Sequence, residues 1–335
     1  MKRYWITLLA VVLLAACGTK QDSTHGKKGS SGKTLEVLLA MDKQYYTGET
    51  MEFIDTLLRS PREGMLNPEP RFDVVNVPVS SLKNTQMFQM HRNIILCDIG
   101  AAEENKLYIH HDQWASPQVV VDIVAKDVEG VRELLDKHRD RIFEEIYNAE
   151  HKRIIKAYYG LRNIDLMKRI KKHFGFELTF GEEFSLATLD GDFAWVRKET
   201  KDFGLSVLIH TFPYSAQAQF SHEKILDRLD TTMRRHVPGP AEGSYMGTER
   251  RFDLLSKVVK MEGTSYCVET RGQWRTFGDF MGGPFVSYTL LSPDGRQVVE
   301  LTGFIYCPRF DRYSKRDLLM QAESICYSIK WDEAK

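Results

Sequence analysis

VRELLDKHRDRIFEEI, residues 131–146, carries the clearest secondary-structure pattern in this chain. Its apolar positions recur every three or four residues and charged side chains fill most of the others, which predicts an amphipathic helix. The buried face is predicted to consist of Val131, Leu134, Leu135, His138, Ile142 and Ile146. The pattern extends over residues 127–173, with a predicted break at Tyr158-Tyr159-Gly160. A long helical segment therefore divides the chain into two parts.

Both parts mix strand and helix patterns. In the first part, residues 34–126, strand patterns occur at 34–41, 71–79, 93–99, 106–110 and 117–125. A helical pattern at 48–58 lies between the first two strands, which favours a parallel pair. In the second part, residues 174–335, strands are predicted at 176–180, 193–197, 205–211, 257–261, 265–270, 284–291 and 297–307, and helices at 222–235 and after Ser314. The prediction is an α+β fold of two subdomains, with mixed and antiparallel sheets and helices packed on them.

The amino terminus has the pattern of a secretory signal. Lys2 and Arg3 precede an apolar run at residues 6–14, which is too short to span a bilayer. Leu14-Ala15-Ala16-Cys17 then matches the lipid-attachment pattern of bacterial lipoproteins. The expectation is a signal peptide over residues 1–16, a lipidated Cys17, and a tether over residues 17–33 that has no large apolar side chain.

The resemblance to bacterial lipoproteins implies a diacylglyceryl group and an amide-linked acyl chain such as palmitate on Cys17. Several acyl chains hold a protein at a membrane far better than one chain does. Gly18 stands where Asp would imply retention in the inner membrane, so the resemblance favours the outer membrane of the cell envelope. Whether the body faces the periplasm or the medium stays open.

Charge and cysteine content narrow the function classes. Residues 1–16 carry two basic side chains and no acidic one, which leaves 44 basic against 46 acidic side chains. A balanced chain has no electrostatic signature of nucleic-acid binding, so no nucleic-acid partner is expected. Beyond Cys17 the cysteines are Cys97, Cys267, Cys307 and Cys326, without CxxC spacing. They allow three complete disulfide pairings, but we favour small buried residues for most of them.

Several segments together resemble a family of Bacteroidetes lipoproteins defined by a domain of unknown function, DUF4837. The segments are DQWASPQ at 112–118, PGP at 238–240, GSYM at 243–246, TRGQW at 270–274, GDFMGGPFV at 278–286 and GFIYCP at 303–308. The resemblance implies a compartment and a bacterial group, and no activity. In addition, FELTF at 176–180 and SIKW at 328–331 are similar to a Mog1/PsbP-type sandwich, a fold that hosts binding and assembly factors more than enzymes.

Residues 271–284 are the candidate binding loop, because glycines there adjoin flat cationic and aromatic side chains. Its candidate contact residues are Arg271, Trp274, Arg275, Asp279, Phe280, Met281, Gly282 and Gly283. The alternative, which we favour on the sequence, is a structural hairpin in which Trp274 and Phe280 cap the sheet.

Other candidate chemistry is weaker. His110-His111-Asp112 is better explained as a polar strand end than as a metal site, because a strand places only two of the three on one face. Glu150-His151 lacks the HExxH spacing, and His151 is expected at the solvated surface. No nucleophile motif is present. The sequence therefore predicts no catalytic residue, no metal and no cofactor.

Three functions follow from these observations. The first is a lipid-anchored, non-enzymatic binding or assembly factor of the cell envelope, with an envelope protein or glycan as partner. The second is an envelope hydrolase acting on cell-wall or carbohydrate material, which requires Asp279 in a cleft with a second acid or a histidine within about 10 Å. The third is a carbohydrate-binding lipoprotein of an uptake system, which predicts Trp and Tyr platforms on one open face.

Overall fold

The computed structural model describes residues 27–66, 69–100 and 103–331. The predicted signal peptide and Cys17 lie outside the described residues. Within these ranges, no helix combines the length and the apolar character that crossing a membrane requires.

The first half is a five-stranded sheet with helices on it. Its elements are β1 (Glu36–Ala40), α1 (Gly48–Arg59), β2 (Asp73–Val77), the short helices α2 (Val79–Asn84) and α3 (Gln86–Gln89), β3 (Asn93–Ile99), β4 (Lys106–His111) and β5 (Val119–Ala125). The strand order is β2-β1-β3-β5-β4. β1 and β2 are parallel, as the helix between them predicted, and only β4 runs antiparallel to its neighbour. The sheet is therefore mixed.

Three helices follow: α4 (Val128–Lys137), α5 (Arg139–Gly160) and α6 (Ile164–Phe174). One break occurs at Gly160, where the sequence predicted it, and another at His138, which the sequence had placed on one continuous helical face. Asn163 caps α6 by accepting a hydrogen bond from the amide of Leu166. Gly175, at φ +79°, ends α6 in the left-handed conformation that glycine adopts readily.

The second half is built on one long antiparallel sheet. Its elements are β6 (Phe176–Glu177), β7 (Ser185–Asp190), β8 (Phe193–Glu199), β9 (Gly204–Pro213), α7 (His222–His236), β10 (Tyr245–Thr248), β11 (Leu255–Val258), β12 (Tyr266–Phe277), β13 (Gly282–Leu291), β14 (Gln297–Tyr306), α8 (Lys315–Tyr327) and β15 (Lys330–Trp331). The order is β10-β12-β13-β14-β9-β8-β7, and β11 also pairs with β12. Helices α6 and α8 pack on one face and α7 on the other. The predicted α+β class is confirmed.

Four expectations differ from the structure. β12 continues to Phe277 and β13 begins at Gly282, so residues 271–284 form the hairpin that the sequence favoured, but Phe280 is exposed at its turn and does not cap the sheet. The strand expected at 176–180 is only two residues long, and β7 and β10 were not predicted. The end of the expected tether is also not free. The amide of Ser31, within that segment, donates a hydrogen bond to the carbonyl of Met90 at 2.8 Å. The segment can be held in this way because main-chain pairing needs no apolar side chain.

The segments 60–66 and 69–73 of the first half connect the two halves. The Glu69 carboxylate accepts hydrogen bonds from the amides of Lys315 and Arg316 at 2.8 and 3.3 Å, so a side chain of one half caps the α8 helix of the other. The Arg316 guanidinium lies 3.0 Å from the Asp73 carboxylate and donates to the carbonyl of Pro70 at 2.6 Å. These contacts fix α8 against the first half.

Candidate functional site

Strand β12 separates the two main candidate residues. Successive side chains of a strand point to opposite faces, so Arg271 and Trp274, three positions apart, cannot share a face. Arg271 points to the face covered by α8, and Trp274 to the face covered in part by α7. Both side chains are buried, with 4% of each residue exposed. The expectation of one exposed contact loop containing both residues is wrong.

Arg271 belongs to a buried ion network between the two halves. Its guanidinium lies 2.8 Å from the Glu269 carboxylate and 2.9 Å from that of Glu323. Glu323 also accepts a hydrogen bond from Arg62 of the first half at 2.6 Å. The Tyr288 hydroxyl completes the network by donating to Glu269 at 3.1 Å.

The network holds fixed charges. Burial alone would raise the pKa of the Glu323 carboxyl, but Arg271 and Arg62 outweigh that effect and hold its pKa below the usual range. Burial and nearby carboxylates raise the pKa of Tyr288 well above its ordinary value, so this hydroxyl keeps its proton. All the charged groups of this network have partners within it, so Arg271 joins the two halves; it also lines the cavity on this face of the sheet.

Trp274 forms the floor of a cleft on the opposite face. Its indole Nε1 donates to the carbonyl of Ile305 at 3.0 Å, and its ring packs edge-on against Phe304 at a centroid distance of 5.4 Å. Gly283 makes this approach possible, because a Cβ there would lie 2.2 Å from the Ile305 carbonyl oxygen. Gly283 was expected to make a flexible loop, and the structure uses it for close packing within β13.

The remaining candidates lie at or beside the hairpin turn. Arg275 is 3.4 Å from the Glu249 carboxylate and stacks over the Phe277 ring at 4.9 Å. Phe280 is fully exposed, and Asp279 accepts a hydrogen bond from its amide at 2.6 Å. Asp279 lines neither the cleft beside Trp274 nor the cavity on the opposite face of the sheet, so the geometry that a hydrolase requires is not formed around it.

The last two candidates lie close together but differ in role. Met281 lines the cleft beside Trp274. Gly282 begins β13 opposite Arg275, where an added Cβ would lie 3.0 Å from the Trp274 carbonyl oxygen. Met281 therefore joins Trp274 at the cleft, and Gly282 closes the hairpin.

The cleft, which we call the aromatic cleft, has a volume of about 440 Å³. It opens between the ends of β8, β9 and β14 and the segment that follows α7. Its aromatic side chains are Trp195, Phe203, Trp274, Phe304 and Tyr306. A concave site of this size with mainly apolar walls and a few polar groups is typical of small-ligand binding.

Few polar groups reach the aromatic cleft, and their charges balance. Asp202 is 8% exposed, and its carboxylate accepts one hydrogen bond, from the Tyr313 hydroxyl at 3.3 Å, leaving Oδ1 without a partner among the described residues. Trp195 donates to Ser206 Oγ at 3.1 Å, and the Arg197 guanidinium lies 5.1 Å from its ring. With Glu199 and Lys201, the lining has two positive and two negative side chains. The cleft therefore suits an uncharged ligand that has an apolar face and hydroxyl groups.

The histidine-rich strand end forms a turn. Asp112, at φ +56°, accepts hydrogen bonds from the Gln118 amide at 2.8 Å and from Ser116 Oγ at 3.0 Å. His111 lies 2.8 Å from Glu145. In the part of the chain that the structure describes, no three His, Cys, Asp or Glu side chains are grouped as metal ligands. All four described cysteines are buried and free, which agrees with the favoured interpretation.

Sequence reasoning missed the residues Glu150 and His151. Glu150 is fully buried and accepts hydrogen bonds from Arg92 and Asn93, each at 3.0 Å. His151 is 4% exposed, so its expected place at the solvated surface is wrong. The helical spacing could have predicted the burial of Glu150, since Glu150 lies four residues after Ile146 on the buried face of the helix.

Two protein-family models match adjacent parts of this chain. Residues 163–328 match a family described as Domain of unknown function (DUF4837). Residues 30–159 match a second family, described as Domain of unknown function (DUF8532). The chain thus carries a domain of unknown function, as the resemblance predicted, but the DUF4837 match begins at residue 163, so the segment 112–118 that was assigned to it lies in the DUF8532 match. The Bacteroidetes and lipoprotein parts of that resemblance, and the similarity to a Mog1/PsbP-type sandwich, stay predictions.

No curated protein sequence matches this chain. Among solved structures, a thioesterase from Haemophilus influenzae is 11% identical and covers 44% of this chain and 92% of its own, with a TM-score of 0.15. A TM-score this low does not indicate a common fold.

Proposed function

We propose that this protein is a lipid-anchored, non-enzymatic binding protein of the cell envelope, and that it holds a saccharide in the aromatic cleft. The observation that carries the proposal is the cleft itself, in which Trp195 and Tyr306 stand beside the buried Asp202 carboxylate. A sugar ring has an apolar face of C–H groups and a rim of hydroxyl groups. Trp and Tyr rings pack against the C–H face of the sugar, and a carboxylate oxygen accepts hydrogen bonds from its hydroxyl groups.

The charge balance of the lining supports an uncharged saccharide over an ionic ligand. An ionic ligand needs an excess of opposite charge, and here Arg197 and Lys201 offset Glu199 and Asp202. The hydrolase alternative has no support from Asp279, which lies away from the cleft. The proposal therefore joins the first and third functions expected from the sequence.

The location in the envelope rests on Leu14-Ala15-Ala16-Cys17. The proposal includes acylation of Cys17 and attachment to the outer membrane. Mass spectrometry of the amino-terminal peptide tests it, with Cys17→Ser as the comparison. The expected result is an acylated Cys17 in the membrane fraction and a soluble Cys17→Ser variant. An unmodified Cys17 in a soluble protein contradicts this part of the proposal.

Titration calorimetry with N-acetylglucosamine oligosaccharides and soluble peptidoglycan fragments tests the ligand. Trp195→Ala is expected to weaken binding by about 30-fold, because removing a central aromatic contact costs about 2 kcal/mol. Phe280→Ala is the matched control: it removes an exposed aromatic ring in the hairpin turn between β12 and β13 and should leave the Kd unchanged. Circular dichroism checks that both variants fold.

Two results would overturn the saccharide proposal. One is that none of these saccharides binds the wild-type protein. The other is that Phe280→Ala abolishes binding and Trp195→Ala does not, which would move the contact to the exposed hairpin turn. Release of shortened sugars during the titration would restore the hydrolase alternative.

A further inference from the structure

A second concave region lies on the other face of the sheet, between α5 and β11. Two adjoining cavities of about 690 and 700 Å³ make up this region, which we call the groove. Both are lined by Glu144, Asn148, His151, Val258, Val259, Lys260 and Tyr327. Because the cavities share these walls, the groove is elongated and suits an extended ligand better than a compact one.

One wall of the groove ends in an unpaired strand edge. Within the described residues β11 pairs only with β12. The amide of Val259 donates to the Cys267 carbonyl at 3.0 Å, so Val259 and every second residue before it direct their main-chain groups toward β12. In an antiparallel ladder the alternate residues then face outward, so the amide and carbonyl groups of Ser256 and Val258 point away from β12. Val258 is 63% exposed.

An exposed edge of this kind is a template for another strand. It offers main-chain donors and acceptors at every second residue, about 7 Å apart, a spacing that only another polypeptide backbone repeats. Leu255 and Phe252 add exposed apolar surface near the same edge, at 47% and 42% exposure. The edge therefore favours a polypeptide partner over a saccharide.

The other wall offers hydrogen-bonding groups that the protein does not use. His151 stacks on Tyr327 at a ring distance of 3.9 Å, and its Nδ1 lies 3.1 Å from Ser324 Oγ. The Ser324 hydroxyl donates its own hydrogen to the Met320 carbonyl at 2.7 Å, so it must accept from His151 Nδ1–H. The other nitrogen, Nε2, is then an acceptor, and no described residue donates to it.

The state of His151 is fixed by its surroundings. Burial lowers its pKa to about 3, so the ring stays neutral and Nε2 keeps its lone pair at any physiological pH. Four charged groups face the His151 ring. The Glu323 and Glu269 carboxylates favour its protonation, and the Arg62 and Arg271 guanidinium groups oppose it. Asn148, one helical turn earlier, also has no side-chain hydrogen bond to any described residue.

The two walls differ by a small net charge. The charged side chains are Arg139, Asp140, Glu144, Glu145 and Lys152 on the α5 side, and Lys257, Lys260 and Glu262 on the β11 side. The first wall has one more acidic than basic side chain and the second one more basic than acidic, so a partner segment with a basic side chain toward α5 and an acidic one toward β11 complements this difference.

We propose that an extended segment of a partner protein adds to the free edge of β11 as a further strand and fills the groove, donating one hydrogen bond to His151 Nε2. This mode of recognition takes affinity from main-chain hydrogen bonds and specificity from side-chain pockets beside the strand. The site is independent of the aromatic cleft, which lies on the opposite face of the sheet.

Selection of binders from a displayed library of random peptides, using the purified full chain, provides the probe. Synthetic copies of the enriched peptides are then titrated by fluorescence anisotropy. Val258→Pro removes the outward amide and is expected to weaken binding by about tenfold or more, through lost main-chain hydrogen bonds. Val258→Thr keeps the amide and the shape, and should bind as the wild type does. His151→Phe keeps a stacked ring without Nε2 and should also weaken binding.

Hydrogen exchange on the wild-type protein gives a second measurement that needs no folded variant. Bound peptide should slow exchange of the Ser256 and Val258 amides. Trp195→Ala should leave peptide binding unchanged, because Trp195 lies in the aromatic cleft and not in the groove. A failure of the peptide proposal can therefore be distinguished from a failure of the saccharide proposal. The proposal is overturned if no peptide is enriched, if Val258→Pro binds the peptides as well as the wild type does, or if light scattering shows that β11 pairs two copies of this chain.

Discussion

Glu323→Gln should loosen the junction between the two halves. Glu323 is fully buried and accepts hydrogen bonds from Arg62 at 2.6 Å and from Arg271 at 2.9 and 3.0 Å. Glutamine keeps the shape of the side chain and removes its charge. Arg271 retains the Glu269 carboxylate, whereas Arg62 has, besides a neutral amide oxygen, only a 3.7 Å contact to Met320 Sδ and the Tyr147 ring at 4.5 Å.

The cost follows from leaving a buried guanidinium without its carboxylate. Removing one partner of a buried ion pair costs about 3–5 kcal/mol, whereas an exposed pair contributes at most about 1 kcal/mol. The matched control is Asp311→Asn, which breaks the exposed pair in which Arg309 lies 3.1 Å from Asp311. The assay is urea unfolding of the purified protein at neutral pH, followed by circular dichroism. Equal losses for the two variants, or a loss below about 1 kcal/mol for Glu323→Gln, would refute the reasoning.

Three further predictions concern other parts of the fold. Burial lowers the pKa of His151 to about 3, so its contribution to the free energy of unfolding is fully present above about pH 6.5 and falls by about 1.4 kcal/mol per pH unit toward pH 4. The free energies of unfolding of the wild type and His151→Phe, measured by urea titration, should therefore diverge over that pH range. Parallel pH profiles would disprove the burial effect. Gly283→Ala should cost about 1–3 kcal/mol, because its Cβ meets the Ile305 carbonyl, while Gly204→Ala, with open space around it, should cost far less in the same assay. Glu69→Ala should cost about 1 kcal/mol and speed hydrogen exchange at the first amides of α8, and unchanged exchange there would contradict the capping role.

The helices and long strands were predictable because their patterns are local. The apolar spacing at residues 131–146 predicted helix over α4 and the start of α5, and the run preceding the turn Pro293-Asp294-Gly295 matched β13 to its last residue, Leu291. Which strands pair, and which face each half buries, depends on contacts between distant residues, so the sequence left those open.

The candidate site was predicted only in part. Glycines near Trp274 suggested a flexible loop, yet Gly283 serves close packing, and no local pattern distinguishes the two roles. Arg271 was expected to meet a ligand, because the sequence does not reveal that Glu323, 52 residues away, lies against it. Asp202 and Trp195 were not singled out, since the cleft exists only after five strands and the segment following α7 have come together.

The indole region of an ¹⁵N nuclear magnetic resonance spectrum tests the central claim most directly. The chain has five tryptophans, and Trp195 and Trp274 line the aromatic cleft. Adding an N-acetylglucosamine oligosaccharide should shift the Nε1–H signals of these two residues and leave those of Trp114 and Trp331 in place. A spectrum that does not change, or one in which only Trp114 or Trp331 shifts, would contradict the assignment of the cleft as the ligand site.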